Sequence, residues 1–168
     1  IMQKNTLKKN DELEVVIDRL GVNGEGIAVH EGIVIFVMGA LPGERVLIHI
    51  INDKNNFLIA KLLKVIEPSS QRVEAVCPYF SKCGGCDIQH MCYDAQLQMK
   101  KELVFGTIKK YAGIEANIQD VVASPKTIRY RNKFAFPVTE ENGEVKIGMF
   151  KKNSHKIVEV QDCLLQSE

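Results

Sequence analysis

The feature that most constrains this chain is the segment CPYFSKCGGCDIQHMC, residues 77–92, which holds four of the five cysteines. Three of these sulfurs, those of Cys77, Cys83 and Cys86, have the spacing C-x5-C-x2-C, and the two glycines between Cys83 and Cys86 free the backbone to wrap between them. A site of four thiolates needs one more ligand, and Cys163 is the only cysteine outside the segment. The spacing therefore predicts three clustered ligands and one remote ligand.

Four uses of these cysteines compete: disulfides, a catalytic thiol, a zinc site and an iron-sulfur cluster. Three clustered ligands plus a remote one is the pattern of plant-type ferredoxins, whereas zinc fingers and ribbons usually show two paired knuckles. The spacing favours a cluster and leaves zinc open. Cys92 is left over, and we interpret it as a small packing residue. His90 is close to it in the sequence, but no acyl-transfer signature surrounds the pair.

The cellular compartment that the sequence indicates argues against disulfides. No apolar stretch approaches the roughly 20 residues that span a bilayer, and the N-terminal stretch IMQKNTLKKNDELEVV is polar rather than signal-like. We expect a cytoplasmic protein that does not contact a membrane. Thiols stay reduced in the cytosol, and an odd number of unevenly spaced cysteines does not indicate a disulfide framework.

The first part of the chain, residues 1–67, predicts an all-β domain. Short apolar runs are separated by glycine-rich or polar turns, and alternation puts Leu13, Val15 and Ile17 on one strand face. About five strands without a helix predict a small closed β-barrel of the oligonucleotide-binding type. The glycines of GVNGEG lie between two strands with no helix after them, so we interpret them as a strand connection with positive φ rather than a nucleotide loop.

Residues 68–168 predict a small α+β domain. Asp94 is the predicted cap of one main helix that ends near Gly113, and four strands of an antiparallel sheet are predicted after it, the middle two joined by a Glu-Glu-Asn-Gly turn. With the cysteine segment, this domain consists of a ligand loop, one helix and a sheet.

Charge along the chain points to a polyanion partner. The net charge is only +1, but residues 100–133 carry eight Lys and Arg against three Asp and Glu. The stretch RYRNK mixes cations with an aromatic ring, a combination that contacts phosphates and stacks on exposed bases. The predicted RNA-binding residues, with Arg131 foremost, are Arg129, Tyr130, Arg131, Lys133, Lys100 and Lys101.

These motifs resemble a known family. The stretches that carry the resemblance are CPYFSKCGGCDIQHMCYDAQLQMKKELV, RYRNK, FPV, IGMFKKNSHKIVEV and QDCLLQ. Together they are similar to the N-terminal half of the RNA (uracil-5-)-methyltransferases, in particular the 23S ribosomal RNA branch that carries a 4Fe-4S cluster. The elements GEGIA, IFVMGALPGE and KLLKV of the preceding barrel are similar to the TRAM domain fused to those enzymes.

The resemblance implies a 4Fe-4S cluster on Cys77, Cys83, Cys86 and Cys163, and a monomer that binds RNA, in particular 23S rRNA. Family members transfer a methyl group from S-adenosylmethionine to uracil C5, using a cysteine nucleophile and a carboxylate base in a further domain. None of those residues is recognisable here, so we expect no catalytic residue in this chain, and a piece of a longer enzyme that is inactive alone.

Two other function classes stay open from the sequence. One is a stand-alone zinc or iron-sulfur module that binds RNA without catalysis. The other is an electron-transfer protein, which the barrel and the basic segment disfavour, because an electron carrier needs neither.

Overall fold

The computed structural model describes residues 7–167, and the chain divides into two compact units between Arg72 and Val73. The sequence analysis placed this boundary after residue 67. Within the described residues, no helix is long and apolar enough to cross a membrane.

The first unit is a six-stranded sheet in the order β1-β5-β6-β4-β3-β2. Its pairs are antiparallel except for β4 and β6, which run parallel. The strands are β1 (Glu12–Val16), β2 (Arg19–Leu20), β3 (Gly26–His30), β4 (Ile33–Met38), β5 (Arg45–Lys54) and β6 (Phe57–Glu67).

The core of the first unit follows from the alternation seen in the sequence. Leu13 pairs with Ile48 and Val15 with Val46, so the apolar residues of β1 and β5 lie side by side on one face. Ile48 is fully buried and Val15 nearly so. The buried cluster comprises Val15, Ile17, Ala28, Ile35, Val37, Ala40, Val46, Ile48, Ile50, Leu58 and Ala60.

The prediction of a closed barrel is wrong. The sheet has two edge strands, β1 and β2, and no ladder joins them among the described residues. The physical reason is that the chain runs on from β1 into β2 without reversing, so the two strands cannot pair with each other as a hairpin. Ile17, directly after β1, donates its N–H to the carbonyl of Glu44, which precedes β5. Asp18, directly before β2, donates to the carbonyl of Ile27 in β3. The chain therefore passes from one edge of the sheet to the other between these two residues.

The second unit contains one helix and a three-stranded antiparallel sheet in the order β7-β8-β9. Its elements are α1 (Tyr93–Ala112), β7 (Val138–Glu141), β8 (Glu144–Phe150) and β9 (Ile157–Glu159). The β7–β8 hairpin turns at Asn142 and Gly143, with φ values of 58° and 82°, as the Asn-Gly pair predicts. A methyl group on Gly148 would lie 2.0 Å from the carbonyl oxygen of Val158, so only glycine fits between β8 and β9 there.

Three local predictions for the second unit are wrong. Helix α1 is capped at Cys92 rather than Asp94, which lies in its first turn. The sequence predicts strands over residues 117–124 and 130–141, but residues 117–124 form no strand, and the second stretch forms only β7 at its end and an isolated bridge at Arg131. In that second stretch, Arg131 forms backbone hydrogen bonds to Leu165 and Ser167 near the C-terminus, so the chain around it does not extend β7.

Candidate metal centre and nucleic-acid interface

Four cysteines of the second unit line a single cavity. Cys77, Cys83, Cys86 and Cys163 meet there although 86 positions separate the first from the last. Two chain reversals produce this convergence. The Tyr79 carbonyl accepts the N–H of Cys83, which turns the loop, and the segment after β9 returns to pair with the residues around Arg131.

The rest of the cavity wall is mostly apolar. Phe80, Phe134, Met149, Val160 and Leu164 contribute to it. Two hydrogen-bond donors reach the sulfurs: the backbone N–H of Gly85 lies 3.3 Å from Cys83 Sγ, and the side-chain amide of Gln89 lies 3.2 Å from Cys86 Sγ. N–H donors of this kind favour the thiolate form of a cysteine. The surroundings therefore match those of a desolvated thiolate site.

Close packing requires the first of the two glycines between the second and third cysteines. A methyl group on Gly84 would lie 2.9 Å from the Phe150 carbonyl oxygen, which also accepts the N–H of Gly84 at 2.8 Å. A methyl group on Gly85 would approach Met149 to 3.3 Å. The ligand loop therefore lies directly on the end of β8.

Burial raises the pKa of the Cys86 thiol, and the neighbouring Cys83, Cys77 and Cys163 raise it further, although the bond from Gln89 acts in the opposite direction. Four thiolates in one apolar cavity would repel one another, and a positively charged group between them would offset this repulsion. Within residues 7–167, no three His, Cys, Asp or Glu side chains are grouped so as to hold a metal ion. The cluster expected from the sequence stays a prediction.

Arg129 anchors the segment that carries Cys163. Its guanidinium contacts both carboxylate oxygens of Asp162 and lies 3.3 Å from the carbonyl oxygen of Cys163. Its backbone N–H donates to Leu164. The Arg129 guanidinium, through its hydrogen bonds, holds the pKa of Asp162 below its usual range. This residue, predicted to bind RNA, is therefore also part of the internal packing next to the fourth cysteine.

The other predicted RNA-binding residues differ in their accessibility. Arg131, Tyr130 and Lys133 are exposed, and the Arg131 guanidinium lies 5.9 Å from the Phe134 ring centre. Lys100 is exposed on α1, whereas Lys101 forms an ion pair with Asp120. Four of the predicted residues thus lie on one short segment, residues 129–133, and the two lysines lie on helix α1. Their contact with RNA stays a prediction.

Sequence reasoning missed Gln89 and Asp162. Gln89 contacts a cysteine from only three positions away, and Asp162 immediately precedes Cys163, so proximity to a candidate ligand was the available signal. Cys92 does not line the cavity. His90 is buried, with its ring 5.3 Å from that of Phe80.

Comparison with known proteins agrees with this architecture. Residues 7–63 match the TRAM domain family. The chain is 39% identical to a protein of Clostridium tetani and 38% identical to one of Halalkalibacterium halodurans, both named as uncharacterized RNA methyltransferases. The matches cover 96% and 99% of this chain and 35% and 36% of the two relatives.

A solved structure is similar across both units. It is the crystal structure of Pyrococcus abyssi tRNA (uracil-54, C5)-methyltransferase in complex with S-adenosyl-L-homocysteine, with a TM-score of 0.64 and 29% identity, covering 92% of this chain and 33% of that one. The chain thus spans about a third of the length of the relatives it matches. Residues 7–63 are thus similar to the TRAM domain family, and nearly the whole chain is similar to proteins named RNA methyltransferases.

Proposed function

We propose that this chain is the RNA-binding part of an S-adenosylmethionine-dependent RNA uracil C5 methyltransferase and that its second unit holds a 4Fe-4S cluster. The observation that carries the proposal is the convergence of Cys77, Cys83, Cys86 and Cys163 on one apolar cavity. The homology to RNA methyltransferases and the TRAM domain support the rest.

In this proposal the four cysteines are the cluster ligands, and the cluster supplies positive iron centres that offset the thiolate charges. Gly85 and Gln89 donate hydrogen bonds to ligand sulfurs. The apolar wall keeps water away from the sulfurs. Bound in this way, the cluster joins the start of the second unit to its end.

We assign RNA binding to the cationic segment, which is residues 129–133. Arg131 and Lys133 offer exposed charges for phosphates, and Tyr130 offers an exposed ring for a base. Lys100 adds a further cation on α1, whereas the charges of Arg129 and Lys101 are already balanced by Asp162 and Asp120. The substrate that the family resemblance implies is 23S rRNA, and the methyl donor is bound outside these 168 residues.

The cluster is tested by purifying the chain without oxygen. We expect a brown protein with iron and inorganic sulfide in equal amounts, because a 4Fe-4S cluster contains four of each. Stoichiometric zinc in place of iron would contradict the cluster and would favour a zinc module.

The methylation proposal needs the full-length protein that contains this chain. Methyl transfer from labelled S-adenosylmethionine to uracil C5 is measured on 23S rRNA and on tRNA side by side. Label in 23S rRNA alone supports the proposed substrate, and label in tRNA alone assigns the chain to the substrate class of the Pyrococcus abyssi enzyme. The 168-residue chain by itself should label neither RNA.

A further inference from the structure

The second unit contains another cavity, of about 360 Å³, next to the cysteine site. Its apolar wall is formed by Phe136, Ile147 and Val160, and Val160 also lines the cysteine cavity. The other lining residues are polar and include Gln161, Gln166 and Ser167. Its volume falls in the range of about 300–1,000 Å³ typical of small-molecule sites.

The charge of this cavity disfavours an ionic ligand. Arg129 and Asp162 are its charged lining residues among those described, and they form a two-bond ion pair with each other. A phosphate there would have to compete with the carboxylate for the guanidinium. The amides of Gln161 and Gln166 and the hydroxyl of Ser167 can both donate and accept hydrogen bonds, which suits an uncharged polar group.

The location of the cavity connects it to the cationic segment. Arg131 pairs through its backbone with residues on the cavity rim, because its carbonyl accepts the N–H of Ser167 at 3.0 Å and it forms a bridge with Gln166. The exposed cations Arg131 and Lys133 therefore belong to the same stretch of chain as the cavity. A single strand of RNA whose phosphates contact these cations would pass beside the apolar wall and the glutamine side chains of the cavity.

We infer that this cavity binds one unstacked nucleobase of a single-stranded RNA. A nucleobase is planar and uncharged, has apolar faces for Phe136 and Ile147, and has polar edges for the amides of Gln161 and Gln166. Proteins recognise single-stranded RNA by this combination of stacking and edge hydrogen bonds. The inference deepens the proposed RNA-binding function and rests on it.

The test uses a short single-stranded RNA of mixed sequence and a series in which each position in turn lacks its base. An abasic position retains the phosphate and the ribose, so only base contacts are lost. Fluorescence anisotropy with the anaerobically purified chain should show that one abasic strand binds about tenfold more weakly than the intact strand, because a stacked base contributes about this much.

Two tryptophan variants locate the effect. Ile147→Trp fills the cavity, whereas Val145→Trp, two residues away on the same face of β8, places an equal ring outside its lining. Both positions are exposed, at 55% and 69%, so both variants should fold. Ile147→Trp should remove the difference between intact and abasic strands, and Val145→Trp should retain it. Gln166→Ala, which keeps the backbone carbonyl, should reduce the same difference.

The outcomes are distinct. If the wild-type chain binds RNA but no abasic strand binds more weakly, or if the two tryptophan variants behave alike, the nucleobase site is overturned and the proposed RNA-binding function stands. If the wild-type chain binds no RNA at any salt concentration, the proposed function fails and the inference fails with it.

Discussion

Asp162 accepts two hydrogen bonds from the guanidinium of Arg129, at 2.7 Å from Nη1 and 2.6 Å from Nη2. Arg129 itself has a φ of 57°, a left-handed conformation that is uncommon outside glycine and asparagine. The ion pair therefore holds Arg129 in this conformation, with its guanidinium next to the carbonyl oxygen of Cys163. Arg129 is a positioning residue for the fourth cysteine.

Asp162→Asn should lower the iron content of the anaerobically purified chain, because the amide loses one of the two acceptors that hold Arg129. Exchange of the Arg129 and Arg131 amide hydrogens, which donate to Leu164 and Leu165, should become faster. Glu141→Gln is a matched control, since the Glu141–Lys146 pair has nearly the same side-chain exposures. Equal iron content in both variants would show that the pair does not position Cys163.

Cys163→Ser should make the second unit sensitive to proteolysis and leave the first unit resistant. The proposed cluster closes a long loop between Cys86 and Cys163, and closing such a loop costs entropy that ligation offsets. Limited proteolysis should cut between residues 100 and 160 and leave a fragment that ends near Arg72. Cys92→Ala, which removes a thiol outside the cavity, should behave like wild type, and equal digestion of both variants would argue against the loop closure.

Gly84→Ala should prevent assembly of the proposed cluster. The added methyl group would meet the Phe150 carbonyl oxygen at 2.9 Å, so the ligand loop would have to move away from β8. Gly106→Ala is the control, because no atom lies within 4 Å of the position of its added methyl group in the exposed part of α1. The control should stabilise the helix by about 1 kcal/mol. Iron retention by Gly84→Ala at the wild-type level would mean that the loop accommodates the methyl group.

The first unit contains a buried carboxylate that makes its stability depend on pH. Glu44 is fully buried, and although burial opposes its ionisation, hydrogen bonds from Arg72 and Leu41 hold its pKa below its ordinary value. Because the pKa is lower in the folded state, the ionised form contributes stability above the ordinary pKa. That contribution is lost as the pH falls through the folded value.

Glu44→Gln should destabilise the first unit by about 3 kcal/mol at neutral pH, because Arg72 loses its charged partner. The difference from wild type should shrink below about pH 4. Hydrogen exchange of core amides such as that of Ile48 measures both effects. Glu14→Gln, at an exposed ion pair with Arg45, should cost less than about 1 kcal/mol. A constant difference at every pH would exclude Glu44 as the titrating group.

RNA affinity should fall with salt as expected for a few phosphate contacts. About four contacts predict a slope near −3 for log affinity against log salt concentration, at about −0.7 for each phosphate of a single strand. Arg131→Ala should weaken binding by about 1 kcal/mol or more and make the slope shallower. Lys146→Ala removes an equal charge that already pairs with Glu141 and should change neither quantity. Wild-type binding by Arg131→Ala would remove Arg131 from the interface.

The sequence predicted what depends on neighbouring residues. Alternation identified the buried faces of β1 and β5, and the Asn142-Gly143 pair identified a hairpin, because both signals act over a few positions. The parallel pairing of β4 with β6 and the open edges of the sheet depend on partners distant along the chain, which alternation does not specify. The closed barrel was predicted from strand number alone, and this is why it was wrong.

The candidate site shows the same division. Spacing selected three of the four cysteines that line one cavity, and the fourth followed because Cys163 is the only cysteine outside residues 77–92. The sequence predicts a strand over residues 130–141, but backbone bonds from Arg129 and Arg131 to Leu164 and Leu165 take the place of a ladder at its start. The pairing of Arg129 with Asp162 spans 33 positions, and no local pattern indicates it.

The residues that line the cysteine cavity run from Cys77 to Leu165, so the cavity is incomplete in any nascent chain that ends before them. Every strand of the first unit precedes Arg72, and this sheet can fold while the second unit is still being synthesised. During translation, the thiols of residues 77–92 therefore remain without the fourth cysteine until residue 163 leaves the ribosome. The order of synthesis makes this interval the one in which the loop is most open to oxidation.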